Sequence, residues 1–242
     1  MCVSSEFLVS DERRAELAQN LADVSSEIAA AAVAANRDPA DVSLVVVTKH
    51  WPAADVAALA ALGVSQVGEN RVQELTAKRA ALPPLALRWH LIGGLQTNKV
   101  KPALLGADVI ESVDRTKLVK ALEKAAAQLG RSVNCLVQVS LDPQPTPGRG
   151  GVAPQDAQRL ADLIAEGSCL RLCGVMGVAP NGGEALPAFE QLASVSAQIR
   201  RLHPQATVIS AGMSSDFRAA IAAGATHVRI GTAVLGNRQT LR

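Results

Sequence analysis

Tyrosine is absent, aromatic residues make up only 2% of the chain, and the charges nearly cancel, with Lys+Arg 24 against Asp+Glu 22. A nucleic-acid surface needs clustered cations and usually stacking rings, so no nucleic-acid partner is expected. No apolar run approaches the roughly 20 residues that cross a bilayer, and no membrane role is expected either. The opening Met1-Cys2-Val3-Ser4-Ser5-Glu6 has no basic start followed by an apolar stretch. It does not read as a secretory signal, which makes a cytoplasmic location the expectation. Cysteines are few: Cys2, Cys135, Cys169 and Cys173 form no CxxC pair. A chain of this size does not need staples, so these read as buried or idle thiols and not as a disulfide framework or metal centre.

What the chain does have is apolar mass. Hydrophobic residues reach 48% and charged ones 19% of 242 residues, enough to offset the ordering of the chain. Leu17, Leu21, Val24, Ile28 and Ala32 recur at helical spacing, marking one face of a long N-terminal helix that ends at Asn36-Arg37-Asp38-Pro39. Eight short β-branched runs follow: Leu44–Thr48, Val64–Val67, Arg88–Ile92, Asp108–Val113, Val133–Leu141, Leu170–Met176, Ala206–Ser210 and Thr226–Ile230. Stretches of helical period separate them. Asp114 is a candidate N-cap and Gly130 a stop for one helix, Pro154 suits another's first position, and Ser214-Ser215-Asp216 starts a third that runs to Gly224. Strand and helix in strict alternation imply parallel strands with right-handed crossovers. Eight units in this length predict a single domain over residues 1–242: a (β/α)8 barrel with an extra N-terminal helix. The one irregular stretch is the Leu141–Gly151 loop, rich in Pro and Gly.

In such a barrel, chemistry gathers where the strands' C-terminal ends meet the βα loops. The first run drives Val45-Val46-Val47-Thr48 straight into Lys49. A partly desolvated ammonium gives up its proton more readily, and the neutral amine can attack an aldehyde to form a Schiff base. The plainer alternative is a solvated lysine after a strand. The second run ends at Gly68-Glu69-Asn70, and the third carries His90, flanked by Trp89 and Leu91, which reads as a satisfied core histidine. The seventh leads into Ser210-Ala211-Gly212-Met213-Ser214 and the eighth into Arg229-Ile230-Gly231-Thr232. Loops after strands seven and eight are the recurrent phosphate site of these barrels, where Gly231 admits an anion to the backbone and Ser210 and Thr232 supply hydroxyls. Either loop alone is also an ordinary strand-to-helix turn. Arg229 lies two residues before Gly231, on the same strand face. Set against a pyridine nitrogen, it would donate a hydrogen bond and keep that nitrogen unprotonated; the alternative is an arginine paired with a neighbouring carboxylate. An aldehyde trap, a phosphate cradle and a donor for a ring nitrogen together describe pyridoxal 5′-phosphate.

Ordered matches run along nearly the whole chain: Val47-Thr48-Lys49, Gly68-Glu69-Asn70 with Val72-Gln73-Glu74, Trp89-His90-Leu91-Ile92-Gly93, Gly174-Val175-Met176, Gly212-Met213-Ser214 with Asp216, and Val228-Arg229-Ile230-Gly231-Thr232 with Gly236 and Arg238. On these the chain resembles the pyridoxal phosphate homeostasis protein family, whose barrel is similar to the N-terminal domain of alanine racemase. The resemblance implies that Lys49 carries the cofactor, that Asn70 lies close to it and that Arg229 faces the pyridine nitrogen. It also implies phosphate contacts from Ser210, Gly231 and Thr232, with Gly212 and Met213 shaping the pocket. Arg71 and Leu91 depart from the family's pattern, which often has aromatics at both positions.

An alanine racemase needs a second acid/base group opposite its lysine, supplied by a tyrosine, and a C-terminal domain; this chain has no tyrosine and ends at Arg242, just past the eighth unit. The expected function is therefore a non-catalytic carrier that buffers pyridoxal 5′-phosphate for apo-enzymes, and the resemblance points to a monomer. Two alternatives stand beside it: a racemase-like enzyme using His90 or a cysteine as second base, and a class I aldolase in which Lys49 attacks a sugar ketone.

Overall fold

The β-branched runs become eight parallel strands: β1 (Ser43–Val47), β2 (Gln66–Glu69), β3 (Arg88–Leu91), β4 (Val109–Val113), β5 (Val133–Gln138), β6 (Leu170–Met176), β7 (Val208–Ser210) and β8 (His227–Ile230). Each pairs with the next, and β1 returns to β8 in register from Ser43↔His227 to Val46↔Ile230, so the sheet closes into a barrel. A computed structural model describes residues 9–144 and 146–236. Cys2, Pro145 and Arg238 lie outside the described residues.

The helices occupy the intervals the periodicity marks: α1 (Asp11–Ala34), α2 (Ala53–Ala61), α3 (Val72–Ala81), α4 (Val100–Gly106), α5 (Thr116–Leu129), α6 (Ala157–Ala165), α7 (Ala185–Leu202), α8 (Phe217–Ala222) and α9 (Thr232–Leu235). Gly130 closes α5 in the left-handed conformation, as its position suggests. Asp114 does not cap α5. Its carboxylate pairs with Arg115, the residue at the cap, so the side chain is spent on an ion pair. Pro154 opens a 3-10 turn, Pro154–Asp156, that leads into α6. Asp216 does stand at the start of α8, but its carboxylate accepts from Met213 N–H in the preceding loop and makes no cap bond. No described helix is long and apolar enough to cross a membrane.

Two apolar layers hold the barrel. The larger runs between the strands' outer faces and the helices, with Leu75, Leu104, Leu122, Ile164 and Leu192 fully enclosed. The second packs Leu17, Val24, Ile28 and Ala32 of α1 against Leu59, Phe217, Ile221 and Val234. This covers the β8–β1 seam with the helix that precedes the barrel. Burying one such side chain contributes about 1.5–3 kcal/mol.

Candidate functional site

The apolar β1 run delivers Lys49 to the mouth, β8 delivers Arg229, and both line one cavity of about 480 Å³. Met213, Gly231 and Thr232 line it as well. That volume lies within the roughly 300–1,000 Å³ of small-molecule sites. Lys49 is exposed, unlike the partly desolvated amine expected, because the enclosure of β1 stops at Thr48 and Lys49 already stands on the turn beyond it.

Three residues singled out from the sequence lie elsewhere. Asn70 is exposed and lines an adjoining cavity of about 200 Å³ with Gln138 and Arg149; Ile92 borders both cavities. Gly93 packs against it so closely that a Cβ there would stand 2.0 Å from the Asn70 carbonyl oxygen. Gly212 is buried with φ +89°, a conformation glycine adopts freely, and its carbonyl accepts the Arg229 N–H at 2.9 Å. It shapes the mouth from behind. Ser210 is fully buried, its hydroxyl donating to Glu111 Oε2 at 2.6 Å and accepting from Arg229 at 2.7 Å. The serines that line the large cavity are Ser214 and Ser215, past the reversal at Gly212. The sequence places both at the start of a helix and Ser214 also in the loop after strand seven, without giving either hydroxyl a role. The signal that could have found them is that reversal, which turns the following residues toward the mouth.

Beneath the mouth the barrel interior holds, beside the small apolar cluster of Val109, Leu136 and Met176, a buried polar network, where such barrels are ordinarily filled by bulky apolar side chains. Arg229 donates to Ser210 Oγ and, at 2.8 Å, to the Gly177 carbonyl. Glu111 Oε2 lies 3.8 Å from Arg229, and Glu111 Oε1 sits 2.6 Å from His90 Nδ1. His90 Nε2 in turn is 3.0 Å from Gln66 Oε1, and the His227 ring stands 6.4 Å from that of His90, centroid to centroid. Burial alone would raise the Glu111 carboxyl; His90, Arg229 and Ser210 outweigh it and bring it down to about 2. Burial, with His90, Arg88 and Arg229 nearby, lowers His227 to about 4 despite Glu111. Arg229 thus stands at the cavity with its orientation and charge fixed from below. Arg229 borders the cavity, and it has beside it the carboxylate of the alternative sequence reading. Glu111 was missed, although a charge in the middle of the apolar run Val109-Ile110-Glu111-Ser112-Val113 must be paired if that run is a buried strand.

The adjacent β1 wall is held by the β2–α3 unit. Thr48 Oγ1 donates to Glu69 Oε1 at 2.6 Å, and Lys78 Nζ donates to the same oxygen at 2.5 Å and to the Thr48 carbonyl at 2.7 Å. Burial raises the Glu69 carboxyl, against the opposing pull of Lys78 and Thr48. Trp51 completes this wall, with the Arg13 guanidinium of α1 stacked 4.6 Å from its ring. Arg13 also bonds Asp55 and the Leu235 carbonyl, so the start of α1 braces α2 and α9 beside the mouth. The Leu141–Gly151 loop is pinned as well: Arg149 bonds Asp142 and the Val178 and Ala179 carbonyls. Among the described residues, no group of three metal-ligating side chains comes together.

The alanine racemase, N-terminal domain family matches residues 19–239. A pyridoxal phosphate homeostasis protein of Mycobacterium leprae is 38% identical, with 97% of each chain covered. One of Escherichia coli is 35% identical over 92% of this chain and 97% of its own. The structure of PipY from Synechococcus elongatus with PLP bound is 36% identical and superposes with a TM-score of 0.79, covering 91% of this chain and all of PipY. Alanine racemase from Streptomyces coelicolor, 20% identical with a TM-score of 0.73 over 93% of this chain and 59% of its own, shares the fold.

Proposed function

The chain belongs to the pyridoxal phosphate homeostasis protein family, within the alanine racemase N-terminal domain fold, and from that premise we propose that it binds pyridoxal 5′-phosphate and carries it without turning over amino acids. The observation that carries this reading is the one cavity bordered by Lys49 after β1 and by Arg229, Gly231 and Thr232 at the end of the adjacent β8. The donor set fits the group: an amine for an aldehyde, hydroxyls and backbone N–H for an anion, a guanidinium for a ring nitrogen. Bound here, the cofactor would supply an electrophilic aldehyde for the Lys49 amine. Gly231, Thr232 and the neighbouring Ser214 would hold its anionic end, and Arg229, fixed by Ser210 and Gly177, would face its ring. An unprotonated ring is a weaker electron sink, which favours storage over carbanion chemistry.

Racemisation needs acid/base groups on two opposed faces of one carbon. His90, an alternative second base, is buried with both ring nitrogens within hydrogen-bond distance of partners below the cavity. Cys135 is buried and its thiol pushed far up by burial, so it offers no thiolate. His50 lines the cavity but adjoins Lys49 on the same turn, so it shares that face. The chain is taken to act in the cytoplasm as a monomer that hands cofactor to apo-enzymes.

The test is transfer. Protein loaded with pyridoxal 5′-phosphate should restore activity to an apo-form of a cofactor-dependent enzyme, and should turn over amino acids far more slowly than about 1 s⁻¹. Turnover at or above that rate would reject the carrier reading.

A further inference from the structure

Two non-glycine residues among those described have a left-handed backbone: Asn36, φ +55°, and His50, φ +70°. Asn36 closes the long α1 helix, where asparagine takes that conformation routinely. His50 lies at no such helix end. Histidine enters this region more readily than most side chains but less readily than glycine, and next to the lysine of the cavity the conformation persists where the surroundings hold it. The enforcing group is Glu74 of α3. Its Oε2 accepts the His50 backbone N–H at 2.8 Å, and its Oε1 lies 3.4 Å from His50 Nδ1. Trp51 N–H closes the same turn on the Thr48 carbonyl at 3.0 Å.

Lys49 is therefore gripped through both neighbours by one βα unit. Thr48 is fixed by Glu69 and Lys78, and His50 by Glu74. Between them the lysine side chain is exposed. Glu74 itself is not among the residues that line the cavity, so it acts on the site only through the turn. The Val72-Gln73-Glu74 stretch, which the sequence offers without a role, gains one.

We propose that Glu74 is a positioning residue for Lys49: by holding His50 in the left-handed conformation it aims the Lys49 amine into the cavity shared with Gly231 and Thr232. The proposal rests on Lys49 being the attachment site. Without Glu74 the turn relaxes toward a conformation that a histidine prefers, and the amine departs from the cavity. A glycine at position 50 adopts the turn at no steric cost and makes Glu74 dispensable.

The test traps cofactor on the protein. Full-length variants are incubated with limiting pyridoxal 5′-phosphate, reduced with borohydride, and the label on the Lys49 peptide is quantified. In parallel, cofactor-free protein is treated with an amine-acylating reagent, and Lys49 modification is read against the exposed Lys124 of α5. Glu74→Ala is expected to lower trapping at Lys49 by roughly tenfold, the scale of one strained residue. Glu74→Ala with His50→Gly should return to within about twofold of wild type although no carboxylate is restored. Glu74→Gln, which keeps an oxygen for the His50 N–H, should remain near wild type. His50→Val, with Glu74 intact, should weaken trapping because a β-branched residue tolerates the turn least. In the cofactor-free protein the Lys49 acylation ratio should change in Glu74→Ala and return in the double variant.

Trapping unchanged in Glu74→Ala, or unrecovered with glycine at 50, overturns the proposal, whatever happens to stability. If wild-type protein traps cofactor at Lys49 and the variants match it, this inference alone fails. If wild type traps none there, the attachment site and the inference fall together.

Discussion

On the β1 wall of the mouth, Lys49 is exposed on a turn whose next residue is strained; on the β8 wall, Arg229 is only 4% exposed, hydrogen-bonded to Ser210 and Gly177, with a carboxylate 3.8 Å away. The two cations of the cavity are thus held in opposite ways. On the proposed function the amine is the group that would meet an aldehyde, and its side chain is exposed while its backbone is clamped. The guanidinium proposed to face a ring has its side chain locked and desolvated. A buried polar interior is tolerable only when its members are mutually satisfied, and the Gln66–His90–Glu111–Ser210–Arg229 chain meets that condition.

The comparison predicts unequal sensitivity to substitution. Glu111→Gln removes the charge facing a buried guanidinium and should cost about 3–5 kcal/mol in urea unfolding of the cofactor-free protein. A loss below about 1 kcal/mol would show that the two walls are not so differently built.

Gly93→Ala should come next. The new Cβ would meet the Asn70 carbonyl at 2.0 Å, and backbone cannot yield as a side-chain tip can. Overpacking of this kind costs about 1–3 kcal/mol. The Asn70 loop should shift, with weakened cofactor binding in a fluorescence titration; unchanged binding would separate the adjoining cavity from the site.

Acid should act on the locked wall. His227 lies at about 4 in the folded protein against 6.5, so between those values the unfolded chain binds the extra proton, and stability falls as pH falls. Glu111, at about 2 against 4.5, gives the same sign in the lower window. Unfolding midpoints measured from pH 7 to pH 2 should decline in two stages. His227→Asn should remove the upper stage and Glu111→Gln the lower. A flat profile in wild type would contradict the assigned charge states.

The smallest effect belongs to the open wall. Trp51→Leu removes the stacking of Arg13 on the indole and should cost about 0.5–1 kcal/mol by thermal unfolding. A much larger cost would mean that the wall is a rigid core after all.

The fold was legible because strand and helix periods alternate without interruption, and β-branched runs such as Leu44–Thr48 and Leu170–Met176 can be seen residue by residue. Five residues of the cavity lining, Lys49, Met213, Arg229, Gly231 and Thr232, were legible because they stand at strand ends or just beyond them, where barrel geometry fixes their direction. Ser210 misled because a strand's last residue can point into the barrel as readily as into its mouth, and only the presence of Glu111 across the interior settles which. Glu111 meets Ser210 across 99 positions of sequence, and Glu74 meets His50 across 24. Neither pairing leaves a local signature. The left-handed turn at His50 is likewise not fixed by residue type, since histidine, though it enters that region more readily than most, stands elsewhere in most of its positions.

The central claim is that one amine at the end of β1 holds the cofactor. Equimolar pyridoxal 5′-phosphate, borohydride reduction and peptide mapping test it directly. The label should fall on Lys49 and vanish in Lys49→Ala; label on another lysine, undiminished by that substitution, would contradict the account.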